Sequence, residues 1–447
     1  MTTVLRRVIQ SPFGLFHSSS HSYLVNGYLS RTTTTTGWLI QGRRYGHGGV
    51  IDPHRLKASK GGRRVASNKL LQSIRKGDQQ AVWTQYLALH DGQQLKHLLP
   101  EYHSMSLRAL GLQHVIAYGP KEIQAIKERL MMIWANMKHC GHTPDIRDYN
   151  HMLGFAGRAS DWTLCERIWI ELMDKSTNKS SLWGLKPNVY SYNAYMMAAI
   201  QCKQSEKVAS IFNMMYQSGI QPNTFSYNTL MDAYGHLGDV AEVDRIFDRI
   251  FVRQQLQQQH KTFSSLLHPK REQSTILGRQ VASLTRHAPI NNNNNRKNLT
   301  PTVDTFMSLI DAHGRHGNTM GLEMIYNKMM PEFKIEPTLA IYNSLIRWYC
   351  NKSDLETAKQ LMLEMEQRGI QPNVVTFNYM FRHEALKRNR PGVAERLLDF
   401  MHQVYQLQPL QSMYRQLIRI HNRHNRDQEV ERLVRTYEQS ISSTKSK

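Results

Sequence analysis

The chain has 447 residues, of which 40% are hydrophobic, and it contains no run of 18 apolar residues, so the sequence predicts no membrane span. Lysine and arginine outnumber aspartate and glutamate by 57 to 35, and the net charge of +22 favours a polyanionic partner, most simply nucleic acid, although anionic membranes also attract basic proteins. Four cysteines without a Cys-x-x-Cys pair argue against a disulfide framework and against a structural zinc site.

The first 51 residues contain no Asp, Glu or Lys, but they contain five arginines among many Ser, Thr and apolar residues. This composition is typical of a mitochondrial transit peptide, so we predict one over residues 1–45 and a location in the mitochondrial matrix. A basic tail without a targeting role is the alternative interpretation. Removing the five arginines would lower the net charge only from +22 to +17, so the basic character belongs mainly to the rest of the chain.

Residues 46–101 are predicted to be a basic linker with a poorly defined helical region. Further along, a proline followed most often by Asn, Asp or Thr recurs, and the pentapeptide Gly-Ile-Gln-Pro-Asn occurs both at Gly219–Asn223 and at Gly369–Asn373. Neighbouring junctions are most often 35 to 37 residues apart, and such a fixed period predicts a solenoid of stacked repeats rather than separate globular domains. The residues that follow the junction prolines are Asp145, Asn188, Asn223, Thr302, Thr338, Asn373 and Leu410.

Each unit of this period contains two stretches with helical periodicity, separated by a polar break. In the unit that ends at Asn223, Gly219 stands where a helix would end in the left-handed conformation, and Pro222 prevents continuation. We therefore predict an all-α fold, a right-handed α-solenoid of stacked 35-residue helix-turn-helix repeats, whose Met and aromatic residues form the core rather than a ligand site. In this unit the predicted core residues are Tyr192, Tyr195, Met196, Ala199, Val208, Ile211, Phe212 and Met215.

Repeats are predicted over residues 146–250 and 301–410, with degenerate copies over residues 102–145 and in the C-terminal segment 411–447. Between the two arrays, residues 251–300 contain Gln and Asn tracts and eight Lys or Arg against the single acidic residue Glu272. We predict that this insertion extends the preceding helix and is then disordered. Two interpretations stay open for it: a basic loop that contacts an RNA backbone, and surface expansion without a binding role.

An aromatic residue followed by Asn opens the first helix of five units, as in Tyr149-Asn150, and the stretches Thr224–Asp239 and Val374–Asn378 show the pattern most clearly. These motifs resemble the pentatricopeptide repeat family, of the P type, more than the tetratricopeptide pattern. The resemblance covers residues 146–410 well and implies a mitochondrial protein that binds single-stranded RNA, one nucleotide per repeat. Similar fungal proteins serve small-subunit ribosomal RNA maturation, messenger RNA stability or translational activation, and we slightly prefer the first of these.

The resemblance also implies which side chains read RNA: the Asn of the aromatic-Asn pair and the last residue of the same unit face a groove and bind a base edge. An Asn amide offers both a donor and an acceptor, which suits a pyrimidine. A helix cap without an RNA role is the alternative for these residues. The expected pairs are Asn150 with Asn188, Asn193 with Asn223, and Asn343 with Asn373. Asn228 and Asn378 are further candidates, but the last residues of their units are Thr302 and Leu410, and Met307 replaces the Asn in one unit. Tyr190, Phe225 and Val375 are expected to pack against bases.

No arrangement of residues predicts catalysis, because the cysteines are too scattered for a zinc deaminase and no carboxylate cluster fits a metal-dependent nuclease. We therefore predict a binding protein without enzymatic activity, metal or other cofactor. The expected partner is a single-stranded mitochondrial RNA, either a ribosomal RNA precursor or a messenger RNA, with the small ribosomal subunit as a further candidate and the chain as a monomer. The alternative is a protein-interaction scaffold of the mitochondrial ribosome or of a respiratory assembly, whose apolar groove would hold a peptide helix.

Overall fold

The structure is a computed structural model, and it describes residues 63–112, 119–177, 185–252 and 299–445. The predicted transit peptide and residues 253–298 of the predicted insertion lie outside the described residues. Within the described ranges the chain is helical without β-strands, and no helix there is long and apolar enough to cross a membrane. Contacts divide the chain into two compact units that meet at residues 300 and 301.

The first unit is a series of helical hairpins that begins within the region predicted as a poorly defined linker. The last helix of this unit continues as a π-helical turn to Val252, so the helix passes the predicted boundary at residue 250 by two residues. Its helices are α1 (Arg63–Lys76), α2 (Gln79–Asp91), α3 (Pro100–Ala109), α4 (Pro120–His139), α5 (Ile146–Arg158), α6 (Trp162–Thr177), α7 (Val189–Gln201), α8 (Val208–Gln217), α9 (Thr224–Leu237) and α10 (Val240–Phe247).

The second unit has the same construction, although two of its helices are interrupted by a π-helical turn. These turns cover Ile325–Met329, between α12 and α13, and His383–Lys387, after α16. The helices are α11 (Val303–His316), α12 (Thr319–Met324), α13 (Met330–Glu332), α14 (Leu339–Asn351), α15 (Leu355–Gln367), α16 (Val374–Arg382), α17 (Pro391–Tyr405), α18 (Gln411–Arg423) and α19 (Asp427–Lys445).

The hairpin of α7 and α8 shows why the sequence folds in this way. Asn188 caps α7 by accepting a hydrogen bond from the backbone N of Ser191, which satisfies one of the free amides at the helix start. Gly219 follows α8 with a φ of 73°, the left-handed conformation that a glycine adopts without steric cost. All eight residues predicted to form the core of this hairpin are buried, which confirms the assignment of its apolar stripes to packing.

Within each unit the first helix of one hairpin packs on the first helix of the next. Helix α7 contacts both α5 and α9 in the first unit, and α14 contacts both α11 and α16 in the second. The predicted all-α solenoid class is therefore confirmed. The stacked first helices place their N-terminal turns side by side, and these turns carry the residues that the sequence analysis selected.

Candidate nucleic-acid interface

The candidate Asn residues occupy two positions on the first helices. Asn188, Asn223 and Asn373 are the N-cap residues of α7, α9 and α16, and the side chain of each accepts a hydrogen bond from the backbone N of the residue three positions later. The other candidates lie in the second turn of a first helix, five residues after the cap position. These three residues therefore cap their helices.

At one junction the two kinds of Asn meet. The Nδ2 atom of Asn193 on α7 donates to Oδ1 of Asn223, the cap of α9, at 3.3 Å. The Oγ atom of Ser226, which lies three residues after that cap, donates its hydrogen to Oδ1 of Asn193 at 2.7 Å and lies 2.9 Å from Oδ1 of Asn223. We call this set of three side chains an amide lock, because it joins consecutive hairpins and fixes the orientation of both amides.

The second unit contains a second amide lock, in the same register. Asn343 on α14 donates from Nδ2 to Oδ1 of Asn373 at 3.3 Å, and the Oγ1 atom of Thr376 donates to Oδ1 of Asn343 at 2.6 Å. Two of the three predicted pairs are therefore brought together with the same geometry. The two locks lie in different compact units, so the same geometry occurs twice in the molecule.

The amide locks determine which atoms remain for a ligand. In the first lock, Oδ1 of both Asn193 and Asn223 is occupied by donors from the protein, whereas Nδ2 of Asn223 donates no hydrogen bond within the described part of the chain. The group that remains for a ligand is therefore the Nδ2 group of Asn223, which offers N–H donors. These donors complement the carbonyl oxygens of either pyrimidine and the unprotonated N3 of cytosine.

Burial differs from the expectation of an open groove. Asn193 is only 1% exposed, and Asn228 and Asn378 are each 6% exposed, because the next first helix covers the second turn of the one before it. The cap residue Asn223 is half-buried and forms the accessible part of the lock. The prediction that both amides of a pair face an open groove is therefore wrong for Asn193, whereas Asn150 and Asn343, at the same position of the other two pairs, are half-buried.

The third predicted pair does not form a lock. The Oδ1 atom of Asn150 is buried and has no hydrogen-bond partner among the described residues, and Ser191 Oγ donates instead to Oδ1 of Asn188 at 3.2 Å. Asn228 and Asn378 share the second-turn position of Asn193. The residue expected to pair with Asn228 is Thr302, which belongs to the other compact unit, and the residue expected to pair with Asn378 is Leu410, which has no amide.

A carboxylate version of the lock occupies the N-terminal junction of the first unit. Ser104 on α3 has the register of Asn193, and its Oγ donates at 2.6 Å to Oδ2 of Asp148, which has the register of Ser226. Burial, followed by the neighbouring charge of Asp145, raises the pKa of Asp148. The guanidinium of Arg108 lies 3.5 Å from Asp145 and 3.6 Å from Asp148, so the two carboxylates face a cation.

The apolar candidates lie two residues after the caps, one turn before the second-turn positions. Tyr190 is 49% exposed, and Phe225 and Val375 are half-buried. Tyr190 and Phe225 lie at the same register on α7 and α9, the two helices that the first amide lock joins. An aromatic face at such a position can stack on a base of any identity.

The hydroxyl residues Ser226 and Thr376 were missed by the sequence analysis, although a signal for them exists. In each lock, the helix that supplies the cap also supplies the hydroxyl. That helix has the pattern Asn-x-x-Ser/Thr-x-Asn, which runs from the cap residue to its own second-turn Asn. In the unit with Met307, the corresponding residue of the following helix is Ile341, which cannot donate a hydrogen bond. The amide and the hydroxyl are therefore absent together.

Comparisons with known proteins agree with this repeat pattern. The model described as the PPR repeat family matches residues 187–236 and 337–385, the pentatricopeptide repeat domain matches residues 290–352, and a further PPR repeat matches residues 225–253. A chloroplastic pentatricopeptide repeat-containing protein of Arabidopsis thaliana is 26% identical over 43% of this chain and 36% of its own length. A mitochondrial one is 26% identical over 31% of this chain and 17% of its own length.

Solved structures of a maize pentatricopeptide repeat protein also match. The structure of the maize protein alone aligns over 86% of this chain and 59% of the maize chain, with 15% sequence identity and a TM-score of 0.28. Its complex with an 18-nucleotide psaJ RNA element covers 85% and 60% at 16% identity and a TM-score of 0.29. The chain thus spans about a third of the first curated relative and about three fifths of the maize protein.

Proposed function

Since the chain belongs to the pentatricopeptide repeat family, we propose that it binds single-stranded RNA and selects pyrimidines at its amide locks. The observation that carries this proposal is the first lock, where the half-buried cap Asn223 keeps its Nδ2 donors for a ligand, and where Tyr190 and Phe225 lie at the aromatic register of the two helices that the lock joins. One base would stack on the aromatic side chains while its edge accepts hydrogen bonds from the amide.

The proposed mechanism requires unpaired RNA, because a base in a duplex offers neither its face nor its Watson-Crick edge. We expect the protein to bind a cytosine- or uracil-containing single strand far more tightly than the corresponding duplex. Affinity should also fall steeply with salt, since a basic protein releases counterions from each phosphate it neutralises. Titrations of labelled RNA check both points, and equal affinity for the two forms of RNA would contradict the proposal.

We further propose that the protein acts in the mitochondrial matrix and has no enzymatic activity of its own. By occupying a transcript it would mature, stabilise or activate that RNA, with small-subunit ribosomal RNA as the preferred target. The composition of residues 1–45 supports this location, and relatives are named as chloroplastic and mitochondrial proteins. A fluorescent fusion that lacks residues 1–45 should stay in the cytosol, whereas the full-length fusion should enter mitochondria. Import of the truncated fusion would contradict the proposed targeting segment, and crosslinking in organelles would identify the RNA.

A further inference from the structure

The first helix of the last hairpin, α18, carries a row of arginines. Arg415, Arg419 and Arg423 are spaced four residues apart, so they lie on one face of the helix, and all three are exposed. The helix contains no Asp or Glu, and its opposite face is buried through residues that include Leu417. We call these three residues the arginine stripe.

The charge of the stripe is not neutralised by carboxylates, in contrast to that of the partner helix α19. There, Arg432 forms ion pairs with Glu395 and Glu429, and Arg435 lies 3.4 Å from Glu431. Within the described residues, no carboxylate lies within ion-pair distance of the three stripe guanidinium groups. Arg415 instead donates to the Tyr437 hydroxyl at 3.1 Å, and its guanidinium lies 5.9 Å from the centre of that ring.

The register relates the stripe to the amide locks. Arg415 occupies the second-turn position that Asn343 holds in the second lock, while Leu410 and Met413 replace the cap amide and the hydroxyl. The last hairpin has therefore lost every polar group of a lock.

The stripe also continues a row of arginines from the preceding hairpins. Arg347 on α14 and Arg382 on α16 lie four residues after their second-turn Asn, which is the register of Arg419. The row therefore contains one arginine on each of three first helices of the same compact unit, but Arg347 is buried over the ring of Trp348 and Arg382 is half-buried, so the exposed part of the row is the stripe.

We propose that the arginine stripe binds the phosphate backbone of the RNA next to the segment read by the locks, without selecting bases. A guanidinium presents several N–H donors in a plane and remains charged at physiological pH, so it suits phosphate oxygens. The absence of an amide lock in the same hairpin leaves no group arranged to read a base edge. This inference rests on the proposed RNA binding and assigns a separate role to the end of the repeat array.

The test compares two variants of the full chain that each remove two positive charges. Arg419→Gln/Arg423→Gln removes two stripe charges and leaves Arg415, which packs on Tyr437, in place. Arg432→Gln/Arg435→Gln is the matched control, because its arginines belong to ion pairs on the partner helix. Titrations with oligocytidine and oligoadenosine of equal length are measured between about 50 and 200 mM salt.

We expect the stripe variant to reduce the slope of log affinity against log salt by about 1.4, since each phosphate contact contributes roughly 0.7 for a single strand. The preference for oligocytidine should be the same as in the unsubstituted protein. The control variant should change the slope much less. An unchanged slope in the stripe variant, or equal changes in both variants, would overturn the stripe while leaving RNA binding intact. Failure of the unsubstituted protein to bind either RNA would contradict the proposed function itself, and the stripe with it.

Discussion

Two kinds of junction between successive hairpins differ in their polar groups. Where Asn193 or Asn343 lies in the second turn, an amide lock joins that helix to the cap of the next. Where Met307 lies in the second turn, the hydroxyl position of the next helix holds the buried Ile341, and the cap residue Thr338 makes no capping hydrogen bond through its side chain. First helices stack directly at all three junctions. Because stacking does not require the lock, the polar residues are available for recognition.

Both kinds of junction share an apolar core, and substitutions in this core should have the largest effect on stability. Phe212 is 5% exposed, and its ring centre lies 5.3 Å from that of Tyr227 in the next hairpin. Phe212→Ala should lower the free energy of unfolding by about 3–5 kcal/mol because it leaves a cavity between hairpins. Phe306→Ala, at the junction without a lock, should cost a similar amount, since Phe306 is fully buried. Denaturation of both variants checks this, and a loss below about 1 kcal/mol at either site would contradict a shared apolar core.

Removing both amides of a lock should affect RNA binding more than stability. Asn193→Ala/Asn223→Ala should weaken binding to a cytosine-rich strand by about 1–3 kcal/mol, the typical contribution of one well-recognised base. Since Asn223 caps α9, the free energy of unfolding should also fall, by about 0.5–2 kcal/mol. Met307→Ala is the control and should change affinity much less. RNA titrations and thermal melts separate the two effects, and unchanged affinity in the double variant would mean that these residues only cap and join helices.

The hydroxyl of a lock should have a smaller effect, expressed mainly in base selection. Ser226→Ala removes the donor 2.7 Å from Oδ1 of Asn193, so that amide is free to rotate. We expect an affinity loss of about 1 kcal/mol, the net contribution of one hydrogen bond, and a weaker preference for oligocytidine over oligoadenosine. Ser226→Thr should behave like the unsubstituted protein, because Thr376 makes the same contact in the second lock. A loss of preference in the Thr variant as well would exclude a positioning role for this hydroxyl.

The repeat period and the apolar stripes of the sequence predicted the hairpins well, because both are local signals. The period depends on residues such as Gly219 and Pro222, which end a helix through their own backbone conformation, and the core stripe of α7 depends on helical spacing alone. The pairing of Asn193 with Asn223 was also predictable, but only through resemblance to a family.

The lock itself was not predicted, because it depends on distances between hairpins. The Ser226 hydroxyl lies three residues after its own cap and yet bonds an amide 33 residues earlier in the chain. Burial of Asn193 likewise results from coverage by α9, which helical spacing within α7 does not reveal. Asn150 likewise does not pair with Asn188, although the Ser191 hydroxyl has the same register as that of Ser226, so the local pattern alone does not determine the pairing.

Installing a lock where none exists should have the smallest effect and tests whether its three residues act as a unit. In Met307→Asn/Thr338→Asn/Ile341→Thr, the new Thr hydroxyl can donate to the new second-turn amide, as Thr376 does to Asn343. Ile341→Thr alone should lower the free energy of unfolding by about 1–3 kcal/mol, because it replaces a fully buried apolar side chain with a smaller, polar one. The triple variant should recover about 1 kcal/mol of that loss and should bind a strand with a pyrimidine at the matching position more tightly by up to about 1 kcal/mol. Denaturation of the single and combined variants measures the coupling without RNA. If the changes in the free energy of unfolding were strictly additive, the three residues would share a register without interacting with one another. The two kinds of junction would then differ only in their packing.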